Sequence, residues 1–459
     1  MKLSFKLSII LALLLQNVAM AAKLEEMEIL YPVRYVVFQR ETPMDGTVRI
    51  RGHYPKTAKI ERIEARFCER EWQVLDPKPK DGAFTGSLHE KVGQGKLEVR
   101  TKGDTELVAE VQCVGIGDVF VITGQSNADG RGDAHIILEQ NNPFTGTKYR
   151  KNTWSRGDDP SANDGDHGSA WPMVLNELIP DQKIPIGYIQ AAVGSTVVKQ
   201  WRKGGSMYTR MLAIVTSATD GNMKVRAVLY YQGENDITHH NKLSVLGNYN
   251  EYVENLMAAA TDFHNDLKCP MLIGQITNLA SERDRNDNIR RGQQYAWANH
   301  PDVLPGAVAY DILPTDGVHY RDEMNMRAYA RRWTMALLSS VYGQKDFVNP
   351  KLNQAELLDA NTVHLVFDRK LKIETWNGKG GNKAFGFRFK DNTVVLTDQD
   401  VISTAISDKE VTVRLGKPVK PGVLMSYGSG KDGQGQPILR DTISDQPVCM
   451  VFEKPLVKP

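Results

Sequence analysis

The chain lacks most of what would place it in a specialised class. Four cysteines in 459 residues are too few for a disulfide scaffold, their spacing matches no zinc motif, and a chain this long builds a core without staples. There is no surplus of charge of either sign. The 57 basic residues face 55 acidic ones, and the difference lies in Lys2 and Lys6 of an apparent leader. A formally neutral mature protein gives no reason to expect nucleic acid or an anionic membrane as partner. No low-complexity tract or repeat is present, and only one apolar run stands out, at residues 7–15. It is far shorter than the roughly 18 residues a spanning helix requires. With Lys2 and Lys6 before it and Ala19, Met20 and Ala21 after it, the run reads as a secretory signal peptide over residues 1–21. The expectation is an exported protein without a membrane span, secreted or periplasmic, beginning near Ala22. Cys68 and Cys113 are the expected disulfide pair, while Cys269 and Cys449 fit buried free thiols equally well. Oligomeric state leaves no mark on the sequence.

Three regions follow. Residues 22–115 carry short alternating runs separated by turn residues, at 33–38, 47–52, 60–68, 96–99 and 107–114. That pattern indicates an antiparallel β-sandwich of immunoglobulin-like size. Phe67 and Trp72 read there as core, with an exposed aromatic against sugar as the other reading of such a residue. Across 116–345 the character changes. Strand-like runs at 119–123, 184–192, 225–231, 271–277 and 307–312 alternate with helix-period stretches at 170–178, 207–217, 249–267, 288–298 and 323–341. Strict alternation predicts an α/β fold, a parallel sheet covered on both faces. From 346 to 459 the alternating pattern returns, punctuated by glycine and aspartate, and predicts a second β-sandwich. Linkers are expected at 115–117 and 343–350.

Sharp polar or glycine motifs follow the first, second, third and last strands of the middle region, on loops that a parallel sheet sends to one rim. The first reads GQSN, with Ser126 behind Gly124. The second is AAVGST, with Gly194. The third is YYQGEND, with Gln232, Glu234, Asn235 and Asp236. The fourth is TDGVHY, with Asp316 and His319. Such a set is what acyl transfer needs. A serine hydroxyl is a weak nucleophile until an imidazole accepts its proton, and a carboxylate three residues before the histidine can fix the ring and stabilise its charged form. Donors for the oxyanion would be the amides of Ser126 and Gly194 with a side-chain amide from Gln232 or Asn235. Gln125, Asn127, Trp201 and Arg202 are candidate substrate contacts. For Gln125 and Asn127, a turn-stabilising role is equally open. The aromatics of the Gly- and Asp-rich loop 154–171 would suit a sugar ring. His167, His239 and His240 show no ligand spacing and read as surface residues, so no metal or cofactor is expected.

GQSN, the isolated glycine, QGEND and DGVH, in that order, resemble the SGNH/GDSL hydrolase superfamily. Within it they are similar to the branch of sialate O-acetylesterase-like enzymes and acetylxylan esterases. The resemblance covers roughly residues 118–343. It implies a flavodoxin-like α/β/α sheet and a metal-free Ser-His-acid esterase that removes O-acetyl groups from carbohydrate. It further implies Ser126 as nucleophile, His319 as base, and Gly194 with the QGEN segment as oxyanion donors. Acetylated xylan or pectin is the alternative substrate to sialic acid, and a glycan-binding protein that has lost activity is the alternative of another kind. The branch commonly reads QGES or QGEA where this chain has QGEN, which leaves Gln232 and Asn235 both open. Some relatives use a glutamate as the acid, so Glu234 stands second to Asp316. Tyr320 takes the place of the usual proline. In the predicted helix at 288–298, Arg290, Arg291, Gln293 and Gln294 fall where the family has an Arg-x-x-Gln feature and are read as support for the rim.

Overall fold

The computed structural model describes residues 26–277, 279 and 282–458. The leader expected at 1–21 lies outside the described residues. In the middle of the molecule, strands Val108–Gly124, Ile186–Gln190, Ala227–Tyr231, Met271–Gln275 and Val303–Val308 run parallel. Their spatial order is second, first, third, fourth, fifth, the order of flavodoxin-like sheets. Strands two to four are buried along their whole length, which explains why they read as unbroken apolar runs rather than alternating ones. Helices Trp171–Gln182, Ser206–Ala218, Tyr249–Leu267, Arg283–Asn299 and Glu323–Ser340 fall close to the expected stretches. Two of them are fixed at their starts by side-chain caps, Asn248 accepting from the amide of Glu251 and Asp322 from that of Asn325,.

Three features depart from expectation. The last strand is Val303–Val308, earlier than the apolar run at 307–312, because Pro305 and Gly306 disguise it. Proline costs no ladder bond at the outer strand of the sheet path,. The sheet also extends beyond Ile186–Gln190 through a hairpin, Thr147–Arg150 parallel to that strand and Thr153–Arg156 antiparallel to its mate. The third departure is the first strand, which runs unbroken through residues 115–117 where a linker was expected. Its earlier half pairs with Gly93–Gly103 and with Val37–Gln39, its later half with the second and third central strands. Gly115 and Gly117 are there for space. A Cβ on Gly117 would stand 1.9 Å from the carbonyl oxygen of Pro185.

The amino-terminal region has a second antiparallel sheet, Glu28–Tyr31, Asp45–His53 and Ala83–Lys91. Phe67 is core. Trp72 is not: it is partly exposed, with the guanidinium carbons of Arg66 and Arg100 at 4.7 and 4.0 Å from its ring centre, an arrangement favoured by the ring quadrupole. All four cysteines are free thiols. Cys68 lies against Gly95 while Cys113 turns to Thr145, so the expected pair does not form. Burial pushes the thiols of Cys68 and Cys269 up to about 11 and about 12,. Beyond Gly343 lie two four-stranded antiparallel sheets and a strand pair, Leu371–Glu374 with Ile438–Asp441. Their core takes in Val308 and Tyr310, so this region packs on the end of the last central strand. Among the described residues no helix is long and apolar enough to cross a membrane.

Gly117→Ala should destabilise the protein by roughly 3 kcal/mol, since the clash is with backbone rather than a flexible side chain. Gly380→Ala, where nothing lies within 4 Å of the added carbon, should stay within about 0.5 kcal/mol of the parent. Thermal unfolding of the two variants checks the pair, and equal melting temperatures would contradict it.

Candidate active site

The site grows from a close approach of two strands. At Gly124 the backbone takes φ 111° and a Cβ would lie 2.0 Å from the carbonyl oxygen of Tyr231, so only glycine fits. That carbonyl accepts from the amide of Gln125 at 2.9 Å, and the chain then makes a single helical turn, Ser126–Asp129. Trp171 Nε1 donates to the carbonyl of Ala128 at 2.7 Å and braces the turn. The hydroxyl of Ser126 emerges at the carboxyl end of the sheet, where parallel α/β folds keep their ligands.

His319 comes to it from the loop after the last strand. Its Nε2 is 3.0 Å from Ser126 Oγ, and its Nδ1 is 3.0 Å from Asp316 Oδ2. Asp316 Oδ1 accepts from the amides of Val318 and His319 at 3.0 and 2.7 Å. Partial burial pushes the Asp316 carboxyl up, but those amides and the imidazole outweigh it and hold the group below the usual carboxylate range,. Glu234, the second candidate acid, makes no bond to the histidine. It is buried, its Oε1 accepts from Asn127 Nδ2 at 3.0 Å, and burial pushes its carboxyl up to about 7.

Gly194 lies beside the serine, its missing Cβ about 4.0 Å from Ser126 Cβ and 2.6 Å from Arg131 Nη2. The amides of Ser126 and Gly194 have no hydrogen-bond partner among the described residues. The two candidate side-chain donors separate cleanly. Gln232 is buried and its amide is spent, donating to Asp236 Oδ2 at 2.7 Å and to the carbonyl of Thr196 at 3.1 Å. The Asn235 side chain is partly exposed and takes no partner among the described residues, while its backbone amide donates to Gln125 Oε1.

Several expected substrate contacts turn out to be scaffolding. Gln125 Oε1 also accepts from the amide of Gly233. Asn127 donates to Glu234 and to the carbonyl of Val318, and accepts from the amide of Tyr320. Both are nearly inaccessible, so the turn-stabilising reading holds for them. Trp201 is fully buried against Tyr230 with Nε1 donating to Thr196 Oγ1, which leaves no face for a sugar. Arg202 is partly exposed and donates to Asn255 Oδ1 at 3.3 Å. Trp154 and Trp171 are buried too. Arg290 and Gln293 are buried beneath the rim, Gln293 Nε2 donating to the carbonyl of Gln232 at 2.9 Å. Arg291 and Gln294 lie partly exposed at the helix surface. His239 and His240 are exposed, and among the described residues no group of three potential metal ligands gathers.

One residue escaped the sequence reading. Arg131 packs its guanidinium on Gly194, anchored through Nη1 to Asp129 Oδ2 at 2.7 Å and to the carbonyl of Gly130. Asp129 is itself buried, and its other oxygen takes the amide of Asn163 at 2.7 Å. The signal was present in DGRG, directly behind GQSN, but nothing in the spacing says that the side chain folds back over the next strand's glycine.

A buried acid with a raised pKa prefers to be protonated, so Glu234 costs stability as pH rises above its unfolded value of about 4.3, and the full cost is present above 7. Glu234→Gln should therefore raise Tm by a few degrees near pH 8 and change it little at about pH 4.5. An equal shift at both pH values would show that ionisation of Glu234 is not the cause.

Residues 116–331 match the family model described as carbohydrate esterase, sialic acid-specific acetylesterase. A probable carbohydrate esterase from Arabidopsis thaliana is 28% identical, over 38% of this chain and 74% of that protein. Among solved structures, a carbohydrate acetylesterase from Xanthomonas citri superposes with a TM-score of 0.60 at 19% identity, covering 93% of this chain and 99% of that one, a likeness of fold. The Ser126 turn, the Gly194 loop and the His319 loop all fall inside the matched segment, and over that segment the chain is similar to the sialic acid-specific acetylesterases among the carbohydrate esterases.

Proposed function

We propose that the protein is a carbohydrate O-acetylesterase working through an acetyl-serine intermediate, and one observation carries the reading: the unbroken contact from Ser126 Oγ through His319 to Asp316. Ser126 Oγ attacks the acetyl carbonyl carbon as its proton passes to His319 Nε2. The tetrahedral oxyanion is met by the amides of Ser126 and Gly194 and by the Asn235 side chain, and Asp316 stabilises the imidazolium. Collapse releases the sugar alcohol with the proton from His319. Water then adds to the acetyl-serine while His319 takes its proton, and collapse breaks the ester bond to Ser126 Oγ, which takes the proton back from His319 as acetate leaves. The two flanking β regions are read as sandwiches at 22–115 and 346–459, around a hydrolase domain at 116–345, in a protein exported by its leader. Sialic acid is the first substrate to test because of the family match. Acetylated xylan and pectin are the other arms.

Ser126→Ala should lower kcat for 4-nitrophenyl acetate by about 10⁴-fold or more, with acetate release from an acetylated-glycan panel lost in parallel. Wild-type protein that releases no acetate from any of these would mean a binding protein rather than an enzyme. Asp316→Asn should cost on the order of 10³ to 10⁴ in kcat, whereas Glu234→Gln should stay within about tenfold. The reverse ranking would make Glu234 the acid. Asn235→Ala should lower kcat by about 10² to 10³ with KM little changed.

A further inference from the structure

The loop that bears Asp316 and His319 is pinned at both ends by one buried residue, Thr277. At its start, the carbonyl of Ile312 accepts from Thr277 Oγ1 at 3.1 Å. At its end, Tyr320, the residue after the histidine, places its hydroxyl 3.1 Å from that of Tyr231, and Tyr231 Oη accepts from the amide of Thr277 at 3.1 Å. Thr277, Tyr231 and Tyr320 are all buried, where such bonds are strong and their loss is costly.

Chain from far along the sequence closes this clasp. Gln434, on the glycine-rich loop 428–435 of the carboxyl-terminal β region, donates through Nε2 to Thr277 Oγ1 at 3.0 Å and to the carbonyl of Ile312 at 3.3 Å. The next residue, Gly435, donates its amide to the carbonyl of Asp311 at 3.0 Å. The loop is held against the sheet by further bonds. Arg283 donates to both carboxylate oxygens of Asp432, and Arg290 Nη1 to the carbonyls of Gly428 and Gly430. Behind it, the carboxylate of Asp311 is gripped by Arg332 and Arg440, all three buried. None of these side chains makes a hydrogen bond to Ser126 or His319, yet together they hold the loop that grips the backbone from which the histidine hangs.

We infer that the carboxyl-terminal β region is a working part of the active site, with Gln434 as a positioning residue that, through Thr277, holds the Asp316–His319 loop in register with Ser126. The inference rests on the proposed esterase reading for its kinetic readout, and a second readout does not depend on it. A shift of about 1 Å in a reacting group can cost as much as 10²-fold, so loss of one clasp at a loop's edge should show in turnover before it shows in folding.

The test compares wild type with Gln434→Ala, Gln434→Glu, Tyr231→Phe, the Gln434→Ala/Tyr231→Phe double variant and Lys431→Ala, which alters an exposed residue of the same loop. Gln434→Ala should lower kcat for 4-nitrophenyl acetate on the order of tenfold with KM within about twofold. Gln434→Glu, of the same shape but without the donor, should fall equally, and Lys431→Ala should match wild type. Because Gln434 and Tyr231 act on the same residue, the double variant should be little worse than the poorer single one. Independent of turnover, the proton NMR signal of the His319 ring N–H facing Asp316, assigned with His319→Gln, should shift or broaden in Gln434→Ala and stay in place in Lys431→Ala. Unchanged kcat and an unchanged signal in folded Gln434→Ala would overturn the inference, as would fully multiplicative losses in the double variant. Should Gln434→Ala fail to fold, Gln434→Glu and Tyr231→Phe decide by the same criteria. A wild type without turnover would sink the esterase reading alone and leave the NMR comparison to judge this one.

Discussion

Everything at the candidate site hangs on the absence of one carbon atom. With no side chain at Gly124, the first strand can run its backbone against the carbonyl of Tyr231 and leave in a left-handed turn,. That turn converts a buried strand into a one-turn helix with Ser126 at its head. The same contact brings the third strand's polar continuation, Gln232 to Asp236, beneath the serine. Buried polar groups there satisfy one another: Gln125 with Gly233 and Asn235, Gln232 with Asp236 and Thr196, Asn127 with Glu234 and Val318. Glu234 Oε2 is left without a partner, but the bonds around it make the floor rigid, as an oxyanion site requires.

The electrostatic division of labour follows from burial. Asp316 is partly solvated and surrounded by donors, so it stays ionised and can support a charged imidazole,. Glu234 is enclosed, has one bonded oxygen, and sits with its carboxyl pushed up to about 7. Two acids close to one histidine loop thus have different states at neutral pH, set by access to water and not by distance along the chain.

Much of this was legible before any coordinates. The unbroken apolar runs named the central strands because strands buried on both faces carry no alternation, and helices at 249–267 and 323–341 stood out by their period. The order of the four motifs was enough to bring Ser126, Gly194, Asp316 and His319 to one rim. What stayed hidden depends on through-space neighbours. The sequence could not say whether Gln232 or Asn235 has a free amide, because the partners that occupy Gln232 come from Thr196 and Asp236. Trp201 and Trp154 looked like sugar platforms since an aromatic in a polar loop reads the same whether it faces in or out. The edge strand at Val303–Val308 was obscured by Pro305, and the glycines at 115 and 117 suggested flexibility where they serve close packing. Gln434 was invisible for a simpler reason: it lies in another region of the chain, among turn residues, and acquires its meaning only from contact with Thr277.

The strand Val108–Gly124 belongs at once to one of the two amino-terminal sheets, that of Gly93–Gly103, and to the central one. A beam shared by two frames leaves no hinge between them. Tension on the amino-terminal region would be carried along that beam as shear across several ladder bonds at a time, reaching Gly124, two residues before Ser126, without being absorbed by a flexible joint.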